Sequence, residues 1–263
     1  MNRQNRLNQI LEMLIDSGSL EVEEVAQVLE VSPVTIRRDF DALAEKQLLN
    51  RTHGGAVATG GSFKLPLKYK IARDEGAKKR IALVAASMVK RHQMVGINGG
   101  TTTTEVARAL ATSPQFAPGQ FGDPASLTVV TNALNIATEL TVRHHIKIVV
   151  TGGVARPQSY ELTGPYAEQF LDEVVLDIAF LGIEAMDPKI GATAEHEDEA
   201  RVNQKIAARA SQVVIVTDSS KFEKRAFAMI RTTKQIDMII TDSGISPKTQ
   251  KVLEKEGVKI IIA

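Results

Sequence analysis

Two stretches of this 263-residue chain hold side chains whose types and spacing could do chemistry. One is Ser32-Pro33-Val34-Thr35-Ile36-Arg37-Arg38-Asp39-Phe40. A serine N-cap satisfies an orphan amide, and proline at the first helical position loses no hydrogen bond, so a helix is expected to start here. Ile36, Phe40 and Leu43 fall at i, i+4 and i+7 and make a buried stripe. Val34 and Arg38 point the opposite way, with Thr35 and Arg37 on the flanks. Small groups at a helix start followed by guanidinium forks suit entry into the DNA major groove, where Arg binds guanine edges or phosphates. Taken alone, the nonamer also suits an ordinary amphipathic helix with a solvated charged face. Asp39, nearer the buried side, reads as a structural ion-pair partner.

The other stretch is Asn98-Gly99-Gly100-Thr101-Thr102-Thr103-Thr104. Its glycines let the backbone approach a ligand, and its threonines offer hydroxyls and helix-start amides, which together describe an anion cradle for a phosphate monoester. A glycine-rich turn capped by threonine is the alternative for this loop by itself. No Gly-Lys-Ser/Thr follows and the pattern is not G-x-G-x-x-G, so nucleotide binding is not indicated. Thr131-Asn132, Thr151-Gly152-Gly153 and Asp218-Ser219-Ser220-Lys221 also stand where strands are expected to end. Lys221 among them could supply a compensating point charge.

Different elements must position the two stretches. Leu7, Ile10, Leu11 and Leu14 mark a helix from about Arg3 to Ile15, ended by Asp16-Ser17-Gly18-Ser19, and Val25, Val28 and Leu29 give a second helix its apolar face. A short link then leads to Ser32, which is the order of a helix-turn-helix. Leu48 to Thr52 reads as a strand and His53-Gly54-Gly55 as a reversal into Ala56-Val57, which adds a wing. Beyond residue 76, short apolar strands alternate with amphipathic helices: Met94 to Ile97, Leu127 to Val130, Ile146 to Val150, Val174 to Leu181, Val213 to Val216, Met238 to Ile240 and Val258 to Ile262. Continuous Val/Ile runs imply strands covered on both faces, hence a doubly wound, mainly parallel α/β domain that binds ligands at its strand C-terminal ends. The expected organisation is a DNA-binding domain over 1–58, a basic linker over 59–75 and a sensing domain over 76–263. Lys64, Lys68 and Lys70 in the linker offer phosphate contacts, although a solvated connector accounts for the same charges.

Composition narrows the function. Net charge is +1 and the apolar fraction 43%, which suits a globular core and argues against a polybasic nucleic-acid coat protein. Residues 1–58 carry six Lys and Arg against nine Asp and Glu, so the DNA-binding domain is net acidic and a dimer or tetramer is expected to be required for tight binding. There is no cysteine, which excludes thiol catalysis and disulfides. No apolar run approaches the roughly 20 residues of a membrane helix, so no membrane association and a cytoplasmic location are expected. The acidic run Glu195-His196-Glu197-Asp198-Glu199 lies at an expected helix start and lacks a second histidine at a metal-ligand spacing, so neither metal nor cofactor is called for.

Arg6, Ile10, Leu14, Ser32 and Thr35-Ile36-Arg37-Arg38-Asp39-Phe40 resemble the N-terminal signature of the DeoR family of sugar-responsive bacterial repressors, and Arg51-Thr52-His53-Gly54-Gly55-Ala56 is similar to that family's wing. The Gly99–Thr104 loop, Thr131-Asn132, Thr151-Gly152-Gly153, Asp177 to Gly182 and Asp218 to Lys221 resemble its effector domain, so the likeness covers almost the whole chain. It implies a winged helix-turn-helix joined to a domain with the ribose-5-phosphate isomerase fold, with a phosphorylated sugar as effector and operator DNA as partner. The DNA contacts expected are Arg37 and Arg38 first, then Ser32, Thr35 and His53, with Arg6 and Arg51 from the signature. The effector contacts expected are Gly99, Gly100, Thr101, Thr102, Thr103, Asn132, Gly152 and Gly153, with Lys78, Asp218 and Lys221 carried over from the family pattern. Gly191-Ala192-Thr193 departs from the family's Gly-Leu-Thr-Thr, and Thr112 to Ser126 inserts a loop. Glu184 and Glu195 stand near strand ends and either bind sugar hydroxyls or would serve as a base if the domain isomerised sugar phosphates. A DNA-binding module makes little sense on an isomerase, so a regulator is expected. Active isomerase and sensor of a non-phosphorylated metabolite are the alternatives.

Overall fold

Asn2 caps the first helix by accepting the Asn5 amide, and Gly18, at φ 74°, closes it with a left-handed turn that donates to Leu14. The helix, α1 (Arg3–Ser17), therefore runs two residues past the expected stop. The computed structural model describes residues 2–58, 75–117 and 124–263. These fall into two compact units, one within residues 1–73 and the other within 74–263. Lys64, Lys68 and Lys70 lie outside the described residues.

In the first unit β1 (Ser19–Glu21), α2 (Val22–Val28), α3 (Pro33–Glu45), β2 (Asn50–Arg51) and β3 (Gly55–Val57) follow α1. The strands pair antiparallel in the order β1-β3-β2, giving a winged helix-turn-helix. Ile10, Leu11, Leu14, Val25, Ile36, Phe40 and Leu43 are buried together as its core. Two expectations change. Val28 is 63% exposed, and Val22 and Ala26 complete the α2 face instead. The strand expected over residues 48–52 shrinks to two residues because Leu48 and Leu49 turn into the core.

The second unit is built on α4 (Glu75–Met88), β4 (Met94–Ile97), α5 (Thr101–Thr112), β5 (Leu127–Thr131), α6 (Leu134–Leu140), β6 (Ile146–Val150), β7 (Val154–Ala155), β8 (Leu162–Thr163), α7 (Pro165–Asp172), β9 (Leu176–Leu181), β10 (Ala185–Asp187), β11 (Gly191–Ala194), α8 (Glu197–Arg209), β12 (Ala210–Val216), β13 (Ala228–Thr232), β14 (Met238–Thr241), α9 (Pro247–Lys255) and β15 (Lys259–Ile262). Seven strands form one parallel sheet in the order β15-β14-β12-β9-β4-β5-β6. Its two faces bury separate clusters. Ile178, Phe180, Val214 and Val216 pack with α4, α5 and α6, while Leu176, Leu181, Val213 and Ile215 pack with α7, α8 and α9. Strands sandwiched this way must be apolar at every position, which explains their unbroken Val/Ile runs.

Two features had no counterpart in the expected pattern. One is a small antiparallel sheet, β10-β11-β13, and the other a β7-β8 hairpin. All four residues of β11 are buried, and β7 and β8 have two residues each, so neither shows a period-2 alternation. The loop expected over residues 112–126 is partly structured: Pro114–Phe116 is a 3₁₀ turn, Phe116 is buried in the core, and Ser126 Oγ donates to the Phe116 and His145 carbonyls.

Candidate functional site

On α3, Ser32 Oγ accepts the Thr35 amide at 3.2 Å and lies 2.9 Å from Thr35 Oγ1, so the helix start is held by its own side chains. Asp39 sits on the inner side, 2% exposed, with Arg6 Nε at 2.5 Å and Arg3 Nε at 3.5 Å. Arg6 therefore ties α1 to α3, with 13% of its side chain exposed, and its guanidinium is directed at Asp39 rather than outward. Arg51 is similarly committed. It pairs with Asp41 at 3.0 Å, donates to the Gly55 carbonyl at 2.9 Å and stacks 5.4 Å from the centre of the Phe40 ring, which shapes the wing. Arg37 reaches Glu23 at 3.2 Å, both side chains remaining exposed. Arg38 is exposed and has no ion-pair partner among the described residues, and His53 is exposed at the tip of the wing. At its start this helix thus turns Val34, Arg38 and, more loosely, Arg37 outward, with Asp41 and Glu45 exposed further along.

In the second unit the chain expected to cradle an anion follows β4 directly. Asn98 is buried and exchanges two hydrogen bonds with Gly182 after β9, donating Nδ2–H to its carbonyl at 3.0 Å and accepting its amide at 2.8 Å. This pins the β4 and β9 ends together. Gly100 N-caps α5 at φ 145°, a conformation reserved for glycine, and its carbonyl accepts from the Thr104 amide and hydroxyl. A Cβ at Gly99 would lie 2.4 Å from Glu161 Cγ, so any larger residue there would displace the Glu161 side chain. Thr102 and Thr103 are buried in the first turn, where the amides of an α-helix lack partners. Among the described residues, Thr103 Oγ1 and Asn132 Oδ1 are buried without a hydrogen-bond partner.

Glu161, just before β8, is the residue that the sequence reading missed. It is 3% exposed and its Oε1 accepts the Gly99 amide at 2.7 Å, so it occupies part of the cradle. Burial pushes its carboxyl up to about 8, with the charges of Glu199 and Glu184 adding to the rise and the Gly99 amide and Asn132 side chain opposing it. Glu199 on α8 is buried and bonded to Arg156 at 2.9 Å, while Glu184 is paired with Lys221 at 3.4 Å. The ends of β4, β5, β8, β9 and β12 therefore bring Gly99, Asn132, Glu161, Glu184 and Lys221 into one locality. Gly153 joins it from β6, its backbone packed against Thr163.

Asp218 holds the turn that carries Lys221. Asp218 Oδ1 accepts the Ser220 amide at 3.0 Å and the Ser220 hydroxyl, so its carboxylate caps a 3₁₀ turn over Ser219–Lys221. Ser219 in turn is anchored to Asp242 through its amide at 2.6 Å and its hydroxyl at 2.8 Å. That turn is what presents Lys221. Lys78 is buried on α4, and Gly152 and Glu195 sit in the connections after β6 and β11. No local spacing could have exposed Glu161, since Gly99 lies 62 residues away.

The chain matches a family model described as the DeoR C terminal sensor domain over residues 73–243 and one described as the DeoR-like helix-turn-helix domain over residues 6–60. A putative aga operon transcriptional repressor of Escherichia coli is 33% identical over 260 residues, 98% of this chain and 93% of its own. The HTH-type transcriptional regulator GlpR of Haloferax volcanii is 33% identical over 257 residues, 97% and 96% of the two chains. The glycerol-3-phosphate regulon repressor of Escherichia coli is 30% identical over 261 residues, 99% of each.

Proposed function

The chain belongs to the DeoR family of DNA-binding transcriptional regulators, and we propose that it represses a sugar or amino-sugar catabolic operon and leaves its operator when a phosphorylated sugar binds the strand ends of its second unit. It is a regulator rather than an enzyme, as are the relatives it matches over nearly their full lengths. Two of those relatives are named for an aga operon and for glycerol-3-phosphate, which supports a carbohydrate-derived effector.

One observation carries the reading of the effector: a glycine-lined helix start, Gly99 to Thr104, lies at the same sheet end as Lys221. Helix-start amides and a lysine are complementary to a phosphate dianion. Thr103 Oγ1 and Asn132 Oδ1, buried without partners, leave hydrogen-bonding capacity for a ligand at this end. A phosphate would share Lys221 with Glu184, whose carboxylate offers acceptors to sugar hydroxyls. For induction, the effector must prefer the state that binds DNA poorly. A coupling of roughly 1 to 3 kcal/mol weakens operator binding about 5- to 150-fold. A dimer or tetramer would place recognition helices at repeated half-sites and compensate for the acidic balance of the first unit.

The test is a thermal-shift screen of the full chain against sugars paired with their phosphates. At 100 times its dissociation constant a ligand stabilises by roughly 2.7 kcal/mol. One phosphorylated sugar is expected to raise the melting temperature and to release bound DNA, its unphosphorylated partner to do neither, and Lys221→Ala to abolish both effects. Equal stabilisation by the unphosphorylated sugar would overturn the phosphate reading.

A further inference from the structure

Val34 is the second residue of α3 and is 53% exposed. It lies on the face opposite the stripe of Ile36, Phe40 and Leu43 that is buried in the core. Core packing therefore does not account for a valine there. Nor does helix stability, since a β-branched residue is a weaker helix former than alanine. Its neighbours are otherwise engaged: the Ser32 and Thr35 hydroxyls bond each other within the cap, and Arg37 is drawn sideways to Glu23. This leaves Val34 and Arg38, one turn apart, as the outward pair at the start of the DNA-binding helix. Such helices meet base edges with their N-terminal residues. Valine can bond neither phosphate nor a polar base edge, and the apolar feature that the major groove displays is the C5-methyl group of thymine.

We propose that Val34 is a specificity-determining residue that reads a thymine methyl in the operator, beside the base contacted by Arg38. Residues four apart on a helix are about 6 Å apart along its axis. That is less than two base-pair steps of about 3.4 Å each, so the thymine lies within two base pairs of the Arg38 contact. The assignment rests on α3 being the helix that enters the groove, and the experiment tests the two separately.

The full chain is used to enrich binding duplexes from a pool with a randomised core. Enrichment of any sequence establishes the DNA-binding reading independently of Val34. Each thymine of the enriched duplex is then replaced singly by deoxyuridine, which removes the methyl group and nothing else. At one thymine the replacement is expected to weaken wild-type binding about four- to fifteenfold, the range set by burying one or two methyl-sized groups. Val34→Ala is expected to bind the thymine and uracil duplexes equally, with a melting temperature no lower than that of wild type, because the side chain is 53% exposed and alanine is the better helix former. An enriched duplex in which no thymine responds to uracil would overturn the assignment. So would a thymine whose replacement costs Val34→Ala as much as it costs wild type.

Discussion

Asp39 in the first unit and Glu161 in the second are both buried carboxylates, 2% and 3% exposed, but their surroundings have opposite sign. Asp39 faces Arg6 and Arg3. Glu161 faces Glu199 and Glu184, and among the described residues its carboxyl is met by the Gly99 amide and the Asn132 side chain. A buried charge with a cation beside it holds two helices in place. A buried acid facing other acids stores unfavourable electrostatics, and such arrangements cluster where ligands bind. The DNA-binding unit thus spends its interior charge on rigidity, and the sensing unit keeps it at the strand ends.

The largest test of this contrast removes a partner from the favourable pair. Arg6→Ala leaves Asp39 buried with only the more distant Arg3, and loss of one partner from a buried pair costs about 3 to 5 kcal/mol. Denaturant unfolding of the full chain should show that loss in the first unit. A cost below about 1 kcal/mol would mean that Arg6 faces solvent or DNA after all, and that the two carboxylates are alike.

The corresponding change at Glu161 should have the reverse sign. Its carboxyl titrates at about 8 when folded, against an ordinary 4.5. Between those values the folded chain keeps a proton that the unfolded chain has released. The stability from this group is therefore complete below pH 4.5 and is lost as pH rises to about 8, with each unit of separation worth about 1.4 kcal/mol. Glutamine imitates the neutral acid. Glu161→Gln is expected to stay within about 1 kcal/mol of wild type at pH 5 and to exceed it by roughly 4 kcal/mol at pH 8 in denaturant unfolding. Parallel stability profiles for the two proteins from pH 5 to 9 would break the comparison.

The same contrast separates what could be read along the chain from what could not. Ser32, Pro33 and the Ile36–Phe40–Leu43 stripe are local signals, and they locate the start of α3 and its buried face. Unbroken Val/Ile runs identified the parallel sheet for an equally local reason, burial on both faces. Arg6 reads as a DNA contact only through its place in the family signature, and nothing nearby in the chain marks Asp39, 33 residues on and itself legible as an ion-pair residue, as its partner. The Gly99–Thr104 loop was legible because it is contiguous. Glu161, which fills part of it, arrives from a hairpin of two-residue strands with no periodicity to mark them. Long-range partners decide whether a charged residue is scaffold or site, and periodicity does not report them.

The smallest effect concerns a charge pair belonging to neither class. Arg37 and Glu23 meet at 3.2 Å with 54% and 72% of their side chains exposed. Exposed pairs contribute about 0 to 1 kcal/mol, so Glu23→Gln should change the stability of the first unit by no more than about 0.5 kcal/mol. Its consequence should appear in DNA binding instead. Freed from Glu23, Arg37 can neutralise a phosphate, and each added phosphate contact steepens the dependence of log affinity on log salt by about 0.9. Salt titrations of the enriched duplex should therefore show tighter binding at low salt and a steeper slope for Glu23→Gln than for wild type. An unchanged slope would mean that Arg37 either already contacts the backbone in the wild-type complex or never does. A stability loss above 1 kcal/mol would instead place the pair with Arg6–Asp39, as scaffold.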